Sequence, residues 1–141
     1  ERFRMTNLPP SLVEAWVPPA EIFEGGKHLL HMHAPSRMEF PVPETFSAVT
    51  AHFGLMPSAY TAPNATDGVE FSIVWLAPDG HTEELYRRLL TPVENKLDQG
   101  MQALRVSAPQ VKGGKIVFRT LPGRAGNTAF DWAYWTDVEI R

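Results

Sequence analysis

The sequence predicts an all-β domain. Two observations carry this reading. Thirteen prolines and ten glycines are spread along 141 residues, so few windows escape a helix breaker for long. Between the breakers lie short apolar stretches with two-residue alternation, the pattern of a sandwich or barrel.

The elements follow in chain order. The first 20 residues read as an irregular lead-in that lies on the sandwich. In it Pro9-Pro10 and Pro18-Pro19 bracket Leu12, Val13 and Trp16, with one helical turn expected at Ser11–Trp16. Lys27–His33 is the first strand, and Arg37–Val42 follows after the Pro35-Ser36 break. Phe46–Phe53 is a third strand, followed by the loop Gly54–Thr66. In Val69-Glu70-Phe71-Ser72-Ile73-Val74-Trp75, the residues Val69, Phe71, Ile73 and Trp75 share the face expected to be core. Pro78-Asp79-Gly80 is a turn. Glu84–Leu90 holds good helix formers, but Pro92 stops it early and its neighbours are strands, so strand is expected. Met101–Val106 and Lys115–Thr120 are further strands. Gly113-Gly114 between them reads as a hairpin turn that tolerates positive φ. Trp132–Ile140 closes the sheet, and the whole of 1–141 reads as one domain.

Composition excludes several classes of function. Net charge is −3 with Lys and Arg scattered, so a nucleic-acid surface is not expected. No apolar run approaches the roughly 20 residues of a membrane helix, and no membrane insertion is expected. With no cysteine, disulfides, thiol nucleophiles and cysteine-zinc sites are excluded. The chain carries no G-x-S-x-G elbow, Walker A loop, G-x-G-x-x-G or H-E-x-x-H. Glu83 and Glu84 are adjacent and would point to opposite faces of a strand, so they form no glycosidase pair. No enzyme activity is expected.

The C-terminal stretch Phe130-Asp131-Trp132-Ala133-Tyr134-Trp135 concentrates aromatic and acidic residues. Together with Asp67-Gly68-Val69-Glu70-Phe71 and the Pro78-Asp79-Gly80 turn, it resembles the NPCBM family of carbohydrate-binding modules. In that family a G-V-x-F strand lies upstream of a closing D-x-A-x-W-x-D-x-x-L/I strand. Here Asp131, Ala133, Trp135, Asp137 and Ile140 stand at that spacing, and the resemblance runs from Asp67 to Ile140. It implies a jelly-roll β-sandwich of the galactose-binding type. It also implies a non-catalytic accessory module of a larger, extracytoplasmic polypeptide, with a glycan as partner.

Physical chemistry points the same way. A sugar site needs an aromatic platform for C–H faces and planar polar groups for hydroxyls. Trp132 and Tyr134 are the candidate platform, on the opposite face of their strand from Trp135 and Asp137. Their alternative use is to pack the sandwich, as most large aromatics do. Arg124 and Asn127, in the glycine-bearing loop Leu121–Asn127, are candidate rim donors, and Tyr60 is a second rim candidate. His31 and His33 share a strand face and are candidate ligand contacts. As a metal pair they lack an evident third ligand, though His28, His52 and His81 are available in sequence. Galactose-binding-type sandwiches also imply a structural calcium. Asn64 and Asp67, with Thr66, form an oxygen-rich loop that reads either as that site or as ordinary turn chemistry. The remaining alternative for the whole chain is a structural or protein-interaction sandwich with no sugar site.

Overall fold

A computed structural model describes residues 5–107 and 113–141. Among the described residues are ten strands: β1 (Leu12–Ala15), β2 (Ala20–Glu24), β3 (Lys27–His31), β4 (Ser36–Pro41), β5 (Ala48–Leu55), β6 (Val69–Leu76), β7 (Thr82–Leu90), β8 (Gln102–Ser107), β9 (Lys115–Pro122) and β10 (Ala133–Ile140). Two short 3-10 turns, Pro57–Ala59 and Lys96–Asp98, are the helical elements among these residues, and no helix is long and apolar enough to cross a membrane.

The strands form two antiparallel five-stranded sheets. Sheet I has the order β1-β4-β9-β6-β7, and sheet II the order β2-β3-β10-β5-β8. This is a jelly-roll β-sandwich, as expected. The alternation of β6 sets the inner face of sheet I. Val69, Phe71, Ile73 and Trp75 are all buried there, joined by Met38 and Phe40 of β4 and Ile116 and Phe118 of β9. Trp135 is the centre of the core. It is fully buried, with its ring 5.0 Å from Phe118, 5.4 Å from Phe71 and 5.7 Å from Phe53. A side chain of that size bridges both sheets and dominates the burial energy.

Four expectations are corrected. The helical turn at Ser11–Trp16 is the edge strand β1, whose Leu12–Ala15 pairs with Glu39–Ser36 of β4. A free sheet edge offers backbone partners that outweigh a weak local propensity. The lead-in is also tied to sheet II, where the Asn7 side-chain amide exchanges two 3.0 Å hydrogen bonds with the Ile140 backbone. Second, β2 forms at Ala20–Glu24, where no strand is expected. It folds back on β3 through Gly25 and Gly26, both at positive φ. Third, Gly113-Gly114 is not a hairpin turn. The strand before it, β8, pairs with β5 in sheet II, whereas β9 pairs with β4 and β6 in sheet I. Both glycines do take positive φ, and a Cβ on Gly114 would lie 2.2 Å from the Leu76 carbonyl oxygen. Glycine serves a sheet-to-sheet crossing for the same reason it serves a hairpin.

The fourth correction concerns β10. Asp137 does not share the face of Trp135. The pairing of β10 with β5 shifts between Thr136 and Glu139, and Asp137 sits at φ 50. This β-bulge inserts a residue. It returns Val138 and Ile140 to the core and leaves Asp137 outside, against Lys27 Nζ and 2.9 Å from His52 Nδ1. The hydrogen bond from Lys27 holds the Asp137 carboxyl below the ordinary carboxylate range, and His52 adds to the effect.

Candidate functional site

The outer faces of the two sheets carry two different concavities. On sheet II the register places Tyr134 between His31 of β3 and Gly54 of β5. Hydrogen bonds from Met32 N–H to the Ala133 carbonyl and from Ala34 N–H to the Asp131 carbonyl continue that ladder, so Trp132 falls opposite His33. The four predicted residues Trp132, Tyr134, His31 and His33 are therefore brought to one face.

That face is largely covered. Tyr134 is only 4% exposed and packs with Leu29 and Met56 in a small apolar cluster, against which Trp132 is half-buried. Trp132 also meets the Phe130 ring at 5.4 Å, edge to face. Gly54 is required under Tyr134, because a Cβ there would lie 2.7 Å from the tyrosine oxygen. Tyr60 belongs to the same assembly, its hydroxyl accepting a 3.1 Å hydrogen bond from Gly100 N–H. Burial pushes the Tyr134 phenol up to about 12. What opens here is a hollow of about 230 Å³ between Tyr134, Leu29, Met101 and Pro57, with Glu24 and Lys27 at its rim. His31 is pushed below the ordinary imidazole range, first by burial and then by the neighbouring His33. Their rings lie 6.4 Å apart, and no group of three His, Cys, Asp or Glu side chains able to hold a metal occurs among the described residues.

Arg124 and Asn127 do not join this face as a pair of donors. Both are exposed in the β9–β10 loop. The Asn127 side chain accepts from Ala129 N–H at 2.9 Å, and its backbone N–H donates to Asp67 Oδ2 at 3.3 Å. That contact leads to a pair of carboxylates, Asp131 buried and Asp67 half-buried. Thr66 hydroxyl donates to Asp131 Oδ1 at 2.8 Å, while Asp131 Oδ2 and Asp67 Oδ1 are buried without a hydrogen-bond partner. Burial, and to a lesser degree the Asp67 charge, pushes the Asp131 carboxyl up to about 7 against the Thr66 hydrogen bond. Two orphaned carboxylate oxygens are costly unless a proton or a cation compensates them. Carboxylate oxygens are the donors that a hard divalent cation takes. Asp67, named in the calcium expectation, thus lies beside Asp131, which sequence reasoning had not paired with it. Asn64 instead donates its amide to the Ser58 carbonyl within its own loop, at 2.9 Å.

The second concavity was not anticipated. On the outer face of sheet I, Trp16 is 78% exposed at the end of β1. It borders an open groove of about 510 Å³ lined also by Glu14, Pro35, Arg37, Arg119 and Leu121. Glu14 stands opposite Arg37, and Arg37 opposite Arg119, along one row across the sheet. These arginines alternate with core residues: Arg37 precedes Met38, and Arg119 follows Phe118. The alternation shows from sequence that they point outward. Their juxtaposition comes only from the β4–β9 register.

No family model matches the chain. A curated relative, an uncharacterised protein of Archaeoglobus fulgidus, is 29% identical over 80 residues, which are 55% of this chain. The chain spans 20% of that relative's length. Similar solved structures cover nearly the whole chain. A Clostridium perfringens ZmpB structure containing an M60 catalytic domain with CBM51-1 and CBM51-2 domains matches 96% of this chain and 15% of its own, at TM-score 0.68 and 13% identity. The CBM51 from Clostridium perfringens GH95, solved in complex with methyl-galactose, matches 95% of both chains at TM-score 0.66 and 11% identity. The CBM22-1 xylan-binding domain of Paenibacillus barcinonensis Xyn10C matches 92% of this chain and 83% of its own, at TM-score 0.56 and 14% identity. At such identities the likeness is one of fold, a β-sandwich shared with these modules.

Proposed function

We propose that the chain is a non-catalytic carbohydrate-binding domain of the NPCBM type, a single sandwich acting as an accessory module of a larger extracytoplasmic protein. The observation that carries this reading is the Trp16 groove. It combines an exposed aromatic plane with two guanidinium groups and a carboxylate, the combination that sugar C–H faces and hydroxyls require. Exposing most of a tryptophan has no use for folding, and a contiguous exposed apolar feature with a polar rim marks a binding site. The likeness in fold to modules solved with methyl-galactose or described as xylan-binding supports the same class of ligand. The smaller Tyr134 hollow, with Lys27, Glu24, His31 and His33 near it, is the secondary candidate.

Calcium enters this reading as a structural ion. Asp67 and Asp131 would hold it, and its charge would compensate two carboxylates that the fold buries together. Thr66 orients Asp131 from the side, and the Asn127 backbone steadies Asp67.

One observation favours a second reading. Leu12, Trp16 and Val17 are all exposed within one short segment, as a protein-docking edge would be. A glycan-array screen of wild type and Trp16→Ala, with and without calcium, separates the two. A hit that Trp16→Ala removes supports the carbohydrate module. A blank array with folded wild type overturns it in favour of the interaction domain.

A further inference from the structure

We propose that the Trp16 groove selects an acidic sugar, with Arg119 taking a ring carboxylate and Trp16 stacking on the sugar face. This rests on the carbohydrate reading above and narrows it to a ligand class.

The inference starts from charge placement. Arg37 and Arg119 are direct cross-strand partners on the open face of sheet I. Like charges directly opposite one another destabilise a sheet. Arg37 is compensated, because its guanidinium pairs with the buried carboxylate of Glu39. Glu39 also receives Lys115 at 3.3 Å, so its carboxylate is already shared. Arg119 is different. Its Nε donates to Ser72 Oγ at 3.1 Å, and it has no ion pair among the described residues. Ser72 lies across the next strand boundary in the same row and fixes the guanidinium through a neutral hydroxyl. The two terminal nitrogens remain for a ligand.

A fixed guanidinium fork matches a planar carboxylate in a bidentate pair, and arginine is the residue suited to that geometry. Trp16 and Arg119 line the same groove, whose 510 Å³ lies within the range of small-ligand sites. Glu14 at the rim suits the ligand's hydroxyls as an acceptor. It also opposes a densely anionic polymer, which favours a sugar bearing a single carboxylate over a phosphate backbone. Two features costly to the free protein, an exposed tryptophan and an uncompensated arginine, thus meet at one place.

The test is calorimetric titration of the 141-residue chain with three probes: trigalacturonate, its methyl ester, and a sulfated galactose oligomer. Wild type is expected to bind trigalacturonate at least tenfold more tightly than the ester, with the preference shrinking as salt is added. Arg119→Gln should erase the preference and leave ester binding in place. Arg119→Lys, which keeps the charge without the fork, should restore only part of it. Trp16→Ala should weaken both ligands, and thermal melts of all variants check that they remain folded. Equal affinity for acid and ester, with Arg119→Gln silent, overturns the acidic-sugar assignment and leaves the carbohydrate reading standing. Preference for the sulfated probe overturns the carboxylate. Absence of binding to all three probes, together with a blank glycan array, overturns both readings.

Discussion

Tyr134 and Trp16 are both aromatic residues on the outer face of a sheet, and the fold treats them in opposite ways. Tyr134 lies in the middle of sheet II. The chain covers it with Met56, Leu29 and the Gly100 segment until 4% of its surface remains exposed. Trp16 lies at the edge of sheet I, just beyond β1, where none of the described segments crosses it and 78% remains exposed. An aromatic in the centre of a face is readily covered by neighbouring loops, whereas one at an edge is left available for a ligand. The cluster of aromatics in the sequence therefore belongs largely to the framework, whereas the tryptophan between proline pairs stays exposed.

That contrast can be broken most directly by truncation. Tyr134→Ala removes a buried ring and should destabilise the fold by about 3 kcal/mol, read as a lower denaturation midpoint. A result near zero would mean that the hollow around Tyr134 is open and that sheet II is the better site. Filling the space beneath the ring is the complementary test. Gly54→Ala places a Cβ 2.7 Å from the tyrosine oxygen and 2.8 Å from the Gly100 carbonyl oxygen, and should cost about 1–3 kcal/mol.

The buried acids sharpen the picture of how the end of the sandwich is held. A carboxyl raised to about 7 in the folded chain has a lower value when unfolded. Asp131 therefore contributes stability that is present at about pH 4 and is lost as pH rises to about 7. In chelator-treated buffer the wild type should melt lower at pH 8 than at pH 5. Asp131→Asn keeps an acceptor for Thr66 and should flatten that slope, melting higher than wild type at pH 8. Calcium should raise the wild-type melting temperature, reversibly by chelator, and leave Asp131→Asn unmoved. If neither protein responds, the calcium role of Asp67 and Asp131 is removed.

Smaller effects complete the series. Trp16→Ala should change stability by no more than about 0.5 kcal/mol while abolishing glycan binding, because its ring is nearly free in the unliganded protein. A large loss of stability would instead make Trp16 a structural anchor of the lead-in. Asp137→Asn weakens the exposed contacts to Lys27 and His52 and should cost less than about 1 kcal/mol, with the difference shrinking in salt.

Much of the sandwich was legible because strand alternation is a local property. The β6 pattern identified its inner face residue by residue, and the β7 assignment followed from Pro92 and its neighbours. Phe71 and Trp75 were legible as core because alternation and size agree there. The site was less so. His31, His33, Trp132 and Tyr134 do share a face, as period-two spacing and a shared strand ladder require, but no spacing tells whether a face will be covered. Asp67 was legible as part of an oxygen-rich turn. Its proximity to Asp131 was not, because the two lie in loops far apart in the chain.

By itself, the sequence determined the all-β class, the inner face of β6, and the absence of cysteine chemistry and of common nucleotide-binding motifs. These follow from breaker spacing, alternation and composition, which act within a few residues of one another. Tertiary structure alone decided which sheet receives β9, where the β10 bulge turns Asp137 outward, and which aromatic stays uncovered. It alone set Arg37 beside Arg119, and Asp67 beside Asp131. Each of these depends on a register or a crossing between segments far apart in the chain, and no local pattern encodes that choice.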